Sequence, residues 1–280
     1  MISQGIFTKL KTLGRKSGHE MSNEIAIDLD RFSFLDLEIL ENEIMQKLGK
    51  GWGSSTVSLE VDALRKLAEE FGIQIRGAID VGANVGDWSI AFINTFPGIQ
   101  IYSYEPQVTA FGLLRETFEK LDLPHIHAIR AALVPNATGE VKLFKDIDGS
   151  GLASMYPRRL EHFNIDFSLV ESVPSQTFSD LARSLGSQEI NVLKLDIEGG
   201  ELGLLEAIFD QNDFKFDLIQ FEFGGCNIDS RTFFQDFWYL LCEREYQIYR
   251  ITPLGLYRLD RYLESFETFK TTNLIAVKAP

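Results

Sequence analysis

The chain has 280 residues, of which 45% are hydrophobic and 24% are charged, the composition of an ordinary globular protein with an ample core. Its formal net charge of −14 argues against a general nucleic-acid-binding protein, because neutralising phosphates takes an excess of lysine and arginine. The two cysteines, Cys226 and Cys242, lack metal-ligand spacing and fit reduced, packed thiols in a reducing cytoplasm.

The first eighteen residues differ from the rest in charge. They hold four basic side chains and no acidic one, and Ile2, Ile6, Leu10 and Leu13 recur at helical spacing. A frayed tail is the simpler interpretation, and a basic amphipathic helix that contacts an anionic membrane or a partner is the other. Because no stretch approaches the roughly 18 apolar residues of a membrane span or forms an apolar signal sequence, we expect a cytoplasmic protein with at most peripheral membrane contact through residues 1–18.

Strands and helices alternate from residue 58 onward. The predicted elements are a helix over 58–72, a strand ending at Asp80, a helix over 87–96, a strand over 100–104, a helix over 108–121 and a strand over 125–134. This alternation predicts βαβ units, and therefore a mostly parallel α/β sheet. We assign residues 1–57 to an N-terminal extension, partly flexible or helical, and residues 58–280 to one domain.

The alternation breaks between about residues 139 and 174. A short strand over 141–144 and a glycine-rich turn at 149–151 predict an excursion over one edge of the site. Regular alternation then resumes. The later elements are helices near 178–185, 202–209 and 233–241, and strands near 190–195, 218–223, 246–251 and 274–277.

The first strand runs into a turn from Asp80 to Gly86 that is typical of cofactor binding. Gly82 lets the chain turn off the strand, and Gly86 lets the following helix pack closely. A dinucleotide fingerprint requires a glycine where Ala83 and Asn84 stand, which disfavours a nicotinamide-dependent oxidoreductase. A zwitterionic or cationic ligand close to Asp80 fits this turn better than a diphosphate does.

The second strand also ends in a carboxylate. Glu105 stands twenty-three residues after Gly82, and ligands of open parallel sheets bind beyond the carboxyl ends of the strands. Glu105 is therefore placed to accept hydrogen bonds from both hydroxyls of a ribose.

Charged residues alternate at the end of the strand over 190–195. Lys194, Asp196 and Glu198 follow an apolar run, and charges in such a buried strand must pair, contact a ligand or face a cleft. One interpretation is that Lys194 forms an ion pair with Asp196 or Glu198 that rigidifies the sheet edge. The other is that Asp196 and Glu198 face the cofactor and the acceptor, one of them as general base.

Glu222 lies near the end of the next predicted strand, among aromatic residues. Desolvation there would raise its pKa and suit proton transfer, although a carboxylate that orients Lys194 or caps a turn is an equal alternative. His125 and His127 share one face of a strand without a third ligand, a pattern that favours packing over metal binding. Arg158, Arg159 and His162 in the excursion contact an acceptor or belong to a solvated loop.

Several of these blocks occur together in one known family. They are Asp80–Gly86 with Ser89, Tyr104–Pro106, Gly149–Tyr156, Val173–Phe178, Leu193–Leu202 and Phe221–Gly224. In this order, from about residue 58 to the C-terminus, they resemble the FkbM family of S-adenosylmethionine-dependent methyltransferases. The resemblance implies a class I methyltransferase (Rossmann-like) fold: a mostly parallel sheet of seven strands, completed by a C-terminal antiparallel hairpin, with helices on both faces.

The resemblance also implies S-adenosylmethionine as the cofactor. Gly82, Asn84 and Gly86 would hold its methionine part with support from Asp80 and Ser89, Glu105 would bind the ribose, and Ala131 or Ala132 would lie near the adenine. The full set of cofactor-binding candidates is Asp80, Gly82, Ala83, Asn84, Gly86, Ser89, Glu105, Pro106, Ala131 and Asp196.

The implied activity is O-methyl transfer to a hydroxyl, and we expect a sugar of a surface polysaccharide or glycoconjugate as the acceptor. The catalytic candidates are Asp196, Glu198 and Glu222, one of which would accept the hydroxyl proton. A divalent metal held by carboxylates could take that role, but no ligand set predicts one. The alternatives are O-methylation of a polyketide or peptide metabolite, and a non-catalytic cofactor-binding subunit of a glycan-assembly complex.

Overall fold

A computed structural model describes residues 32–51, 57–136, 139–185, 189–211 and 215–278. The predicted amphipathic segment 1–18 lies outside the described residues. Among the helices of the described ranges, none is long and apolar enough to cross a membrane.

Eight strands form the central sheet. They are β1 (Gly77–Val81), β2 (Gln100–Tyr104), β3 (Ile126–Ile129), β7 (Val192–Leu195), β8 (Leu218–Phe223), β9 (Tyr246–Thr252), β10 (Gly255–Leu259) and β11 (Thr272–Lys278). Their order is β10-β9-β11-β8-β7-β1-β2-β3. The pairs from β3 to β8 are parallel, whereas β11 is antiparallel to both β8 and β9. The class I fold that the sequence blocks imply is confirmed, with β10 added to the expected seven strands.

The added strand β10 follows β9 through a turn of only two residues, Pro253 and Leu254. Such tight hairpins usually carry Asn-Gly or Asp-Gly, so this turn gave no recognisable sequence signal. Gly255 opens β10 with a φ of 114°, in the region that favours glycine.

Helices cover both faces of the sheet. They are α1 (Phe34–Lys47), α2 (Val57–Phe71), α3 (Asp87–Thr95), α4 (Val108–Lys120), α5 (Phe178–Leu185), α6 (Glu201–Gln211), α7 (Cys226–Ser230) and α8 (Phe234–Cys242). Apolar side chains of α2, α3 and α4 form one core cluster with the sheet. Those of α5, α6 and α8 form the other cluster on the opposite face, as burial of both faces of a parallel sheet requires.

The predicted strand over 125–134 is divided between two sheets. After β3 the chain turns sharply, with the amide of Ala131 bonded to the carbonyl of Ile129 at 3.2 Å. Residues 132 and 133 then form β4 (Ala132–Leu133), which pairs with β6 (Leu169–Gln176). With β5 (Glu140–Lys145) these strands make a second, three-stranded sheet within the excursion. The predicted strand over 141–144 is confirmed as part of β5, whereas β6, which contains a proline, was not predicted.

The chain between α1 and residue 51 contacts the C-terminal part of the sheet. The amide of Gly51 donates to the carbonyl of Thr271 at 2.7 Å, and Lys50 Nζ donates to the carbonyl of Ser265 at 2.8 Å. Gly49 lies so close to β9 that a Cβ there would stand 2.3 Å from the carbonyl oxygen of Ile251. The end of the predicted extension is thus held against the predicted domain.

Candidate active site

The carboxyl ends of β1, β2 and β7 surround a cavity of ≈ 210 Å³, which we call the first cavity. In the sheet, β1 lies between β2 and β7. The connections that follow neighbouring strands diverge here, and open α/β sheets bind ligands at such a position. Its lining comprises Val81, Gly82, Asn84, Tyr104, Glu105, Pro106, Gln107, Ala131, Ala132, Leu133, Leu143, Ser150, Gly151, Ala153, Met155, Asp196, Ile197 and Glu198.

Two glycines shape the turn after β1 in different ways. At Gly82, where φ is 82°, a Cβ would lie 1.9 Å from the backbone oxygen of Asp196. Only glycine therefore lets this turn meet the end of β7. At Gly86, where φ is 95°, a Cβ would lie 2.7 Å from side-chain atoms of Leu114 and Phe118. Gly82 lines the first cavity, whereas Gly86 serves the packing of α4 against the turn.

Glu105 is held in place by the backbone of two loops. It is only 3% exposed, and its oxygens accept hydrogen bonds from the amides of Asn84 at 3.0 Å and Gln107 at 2.9 Å. Burial raises the pKa of Glu105 to about 7, although these two amide bonds lower it. Each oxygen keeps a lone pair for a further donor, so the carboxylate can accept from a diol.

One end of the first cavity is apolar. Ala131, Ala132 and Leu133 follow β3 and face Tyr104 and Leu143 around this end. All five side chains are buried. Such an apolar compartment suits the flat face of a nucleobase.

The excursion also lines the first cavity, through Ser150, Gly151, Ala153 and Met155. Ser154 Oγ donates to the backbone carbonyl of Glu198 at 2.7 Å, and the side-chain amide of Gln107 donates to the carbonyl of Ser150 at 2.8 Å. A bridge between Phe144 and Ser154 folds the segment back along β5. These contacts hold the excursion against both the β2 and the β7 ends.

Asp80 and Ser89 lie beneath the turn in a buried polar network. Ser89 Oγ donates to Asp80 at 2.7 Å, and Lys194 Nζ lies 3.3 Å from Asp80 and 3.4 Å from Asp196. Burial alone would lower the pKa of Lys194, but the charges of Asp80 and Asp196 outweigh it and raise that pKa. The predicted pairing of Lys194 with Asp196 is confirmed, and Asp80 is a second partner.

A second cavity of ≈ 190 Å³ adjoins the first at Gly82, Asn84 and Asp196, which line both. Its other lining residues are Val57, Glu60, Ala83, Val85, Asp87, Trp88, Lys194, Glu222 and Asn273. Four of its lining side chains are carboxylates and one is a lysine, so the second cavity favours a ligand that carries positive charge.

Glu222 is a buried carboxyl group of the second cavity that has no partner among the described residues. No hydrogen bond or ion pair joins it to any residue in the described ranges. Burial raises its pKa well above the ordinary value, and the charges of Asp196 and Glu198 raise it further.

Glu198 has a fixed partner and a strained backbone. Its Oε2 accepts from Arg158 at 2.6 Å, and both side chains are largely buried. Its φ of 53° is unusual for a residue other than glycine. Burial and the charge of Asp196 raise the pKa of Glu198 to about 8, while Arg158 opposes that rise.

Potential metal ligands occur at one place in the described ranges. One ligand atom each from Glu198, Glu222 and Cys226 lies within 4.8 Å of the others. Because Arg158 already pairs with Glu198, a cationic group is present beside this cluster.

Three contributors to the site had weak sequence signals. Gln107 follows Glu105 by two positions but carries no motif, and Glu60 lies on a helix before the first strand. For Arg158, Arg159 and His162 the sequence left open whether they contact an acceptor or belong to a solvated loop. The Arg158 side chain is only 9% exposed, whereas Arg159 and His162 are exposed. His125 and His127 are exposed and both lie against Gln100.

Several solved methyltransferase structures are similar to this chain. An O-methyltransferase from Bacillus cereus in complex with SAH is 10% identical, with 99% of this chain and 100% of that chain covered and a TM-score of 0.43. The human METTL16 N-terminal domain in complex with SAH is 10% identical over 78% and 70% of the two chains, with a TM-score of 0.40. A precorrin-6y C5,15-methyltransferase from Geobacter metallireducens is 11% identical over 79% and 88%, with a TM-score of 0.39. Among curated proteins, none matches this sequence significantly.

The family comparison covers most of the chain. The model of the methyltransferase FkbM domain matches residues 80–248, from the end of β1 into β9. This range contains the turn after β1, Glu105, the excursion and the ends of β7 and β8. The chain therefore belongs to the FkbM methyltransferase family, with S-adenosylmethionine as its cofactor.

Proposed function

We propose that the protein transfers a methyl group to a hydroxyl of a sugar, as part of a polysaccharide or glycoconjugate. The observation that carries this proposal is the carboxyl group of Glu222, which lines the second cavity with Asp196 and has no partner among the described residues. A hydroxyl is a poor nucleophile until a base accepts its proton. A carboxylate with a raised pKa is suited to that role.

The two cavities fit the parts of S-adenosylmethionine. Glu105 would hold the ribose hydroxyls, and the apolar end at Ala131–Leu133 would hold the adenine. The turn after β1 would hold the amino acid part, and Asp196, which lines both cavities, would face the positively charged sulfur. When bound, the cofactor supplies a methyl group that is already activated for transfer.

Among the three predicted catalytic carboxylates, Glu222 fits the base best. Lys194 lies beside Asp196, and Arg158 donates to Glu198, so each of these groups has a cationic partner. Glu222 has no such partner in the described ranges and retains both oxygens for an acceptor hydroxyl. Asp196 and Glu198 would orient the acceptor from either side.

Aromatic surface near Glu222 supports a sugar as the acceptor, because the adjacent Phe223 packs against Phe269 with 5.5 Å between the ring centroids. Phe233 is 50% exposed and lies edge to face with Phe269, with 6.2 Å between the ring centroids. Gly225 has the backbone of Phe269 and the guanidinium of Arg158 as neighbours. A pyranose presents an apolar face and a polar edge, and these residues offer a partner for each.

Labelled methyl transfer tests the proposal. The protein is incubated with S-adenosylmethionine carrying a labelled methyl group and with panels of oligosaccharides, hydroxylated polyketides and hydroxylated peptides. We expect label in a sugar methyl ether, and we expect Glu222→Gln to slow single-turnover transfer about 10²-fold or more. The matched control is Glu206→Gln, because Glu206 is exposed on α6.

Three results would count against the proposal. Label confined to the polyketide or peptide panel would establish the predicted alternative acceptor. Transfer to sugar at the wild-type rate by Glu222→Gln would remove Glu222 as the base. Tight cofactor binding without transfer to any hydroxyl would contradict O-methylation itself.

A further inference from the structure

Gln107 lines the first cavity and has a buried side-chain oxygen that accepts no hydrogen bond from any described residue. The residue is 3% exposed and directly precedes α4. Its Nε2 donates to the carbonyl of Ser150, and its backbone amide donates to Glu105. Its Oε1 has no hydrogen-bond partner among the residues that the structure describes.

The orientation of this side-chain amide is fixed by its surroundings. Exchanging the oxygen and nitrogen would place Oε1 2.8 Å from the carbonyl oxygen of Ser150, where two acceptors would repel each other. The oxygen is therefore the group that lacks a partner. A buried acceptor left without a donor destabilises a protein, so a donor on a bound ligand is the natural partner.

The adenosine part of the cofactor has two kinds of hydrogen-bond donor that could reach Gln107 Oε1, the ribose hydroxyls and the exocyclic amine of adenine. Glu105 has a lone pair on each oxygen for the ribose hydroxyls, after the amides of Asn84 and Gln107 are counted. The remaining donor of adenosine is the exocyclic amine of adenine. Gln107 and the apolar residues 131–133 line the same cavity.

We propose that Gln107 Oε1 accepts a hydrogen bond from the exocyclic amine of the cofactor's adenine, which makes Gln107 the residue that selects adenosine over nucleosides without that amine. The inference depends on the cofactor and is independent of the acceptor. Because Nε2 of the same amide holds Ser150 of the excursion, one side chain would both recognise the adenine and hold in place another residue that lines the cavity.

Calorimetric binding of three ligands tests the proposal without any methyl transfer. The ligands are S-adenosylhomocysteine, S-inosylhomocysteine, in which a carbonyl oxygen replaces the amine, and 2′-deoxy-S-adenosylhomocysteine. The proteins are wild type, Gln107→Met and Gln107→Glu, which keeps an acceptor oxygen. Thermal unfolding first establishes that each variant folds.

The expected result is a preference that depends on residue 107. Wild type should bind the adenosyl ligand at least about tenfold more tightly than the inosyl ligand, since a site that hydrogen-bonds a donor rejects an analogue lacking it. Gln107→Met should reduce this ratio to about threefold or less, and Gln107→Glu should retain most of it. The 2′-deoxy ligand should weaken by the same factor in wild type and in Gln107→Met.

Two results would overturn the proposal. An unchanged adenosyl-to-inosyl ratio in Gln107→Met would mean that Gln107 does not contact the amine, even if all affinities fall. A smaller 2′-deoxy effect in Gln107→Met than in wild type would assign the contact to the ribose instead.

Discussion

Replacing Gly82 by alanine places a methyl group where the turn after β1 meets the end of β7. The new Cβ would lie 1.9 Å from the backbone oxygen of Asp196 and 2.9 Å from its carbonyl carbon. Both are backbone atoms, so no side-chain rotation relieves the contact. The φ of 82° adds a conformational cost, because this region is unfavourable for residues with a Cβ.

The magnitude follows from these two contributions. The left-handed backbone costs about 1–2 kcal/mol, and forcing apart a packed contact costs typically about 1–3 kcal/mol. We therefore expect Gly82→Ala to lower the free energy of unfolding by about 2–5 kcal/mol, combining both ranges. Affinity for S-adenosylhomocysteine should fall as well, because both Gly82 and Asp196 line the two cavities.

Gly72→Ala is the matched control. Gly72 has a φ of 64°, and no atom of the described residues lies within 4 Å of the position of an added Cβ, so alanine there carries the conformational cost without the steric one. Urea unfolding of wild type and both variants gives the two free-energy changes. If Gly82→Ala destabilised the protein no more than Gly72→Ala and left ligand affinity unchanged, the close approach of the turn to β7 would be refuted.

Three further perturbations have defined outcomes. Gly86→Ala should also destabilise the protein, by about 2–4 kcal/mol. It should weaken the binding of S-adenosylhomocysteine less than Gly82→Ala does, because Gly86 packs against α4 and does not line the first cavity. An equal loss of affinity in the two variants would contradict that placement. Lys194→Met leaves the fully buried Asp80 without its cation and should lower the free energy of unfolding by about 3–5 kcal/mol. The double variant Lys194→Met/Asp80→Asn should recover part of this loss in chemical unfolding. If the double variant recovered none of it, the pairing of Lys194 with Asp80 would be contradicted. Folding raises the pKa of Glu198 from 4.5 to about 8, so between these pH values the folded protein keeps a proton that the unfolded chain releases. The contribution of Glu198 to stability therefore falls as the pH rises from 4.5 to 8. Glu198→Gln should flatten this fall in unfolding measured across that range, and an unchanged slope would contradict the raised pKa.

The ends of the parallel strands were predictable from sequence, because each buried strand is a run of apolar residues that stops at a polar one. Asp80, Glu105 and Asp196 each follow such a run, and the sheet brings their strands side by side. The side-chain roles were less predictable. Asp80 and Ser89 lie beneath the turn and pair with each other, whereas Asp196 lines both cavities.

The excursion shows where sequence patterns stop being informative. Arg158 reaches Glu198 because the chain folds back through the bridge between Phe144 and Ser154, a contact that no local periodicity encodes. The acceptor role of Gln107 depends likewise on the carbonyl of Ser150. Tertiary contacts of this kind depend on residues far apart in the chain, so their partners are not visible in any short window.

A crystal structure of the complex with S-adenosylhomocysteine tests most directly whether this edge of the sheet is the cofactor site. The decisive measurement is the distance between the Glu105 carboxylate and the ribose hydroxyl oxygens. We predict about 2.5–2.7 Å, as for a hydroxyl donating to a carboxylate, with the adenine beside Ala131 and the homocysteine part at the turn after β1. A ribose beyond hydrogen-bond reach of Glu105, with the ligand outside both cavities, would contradict the proposed site.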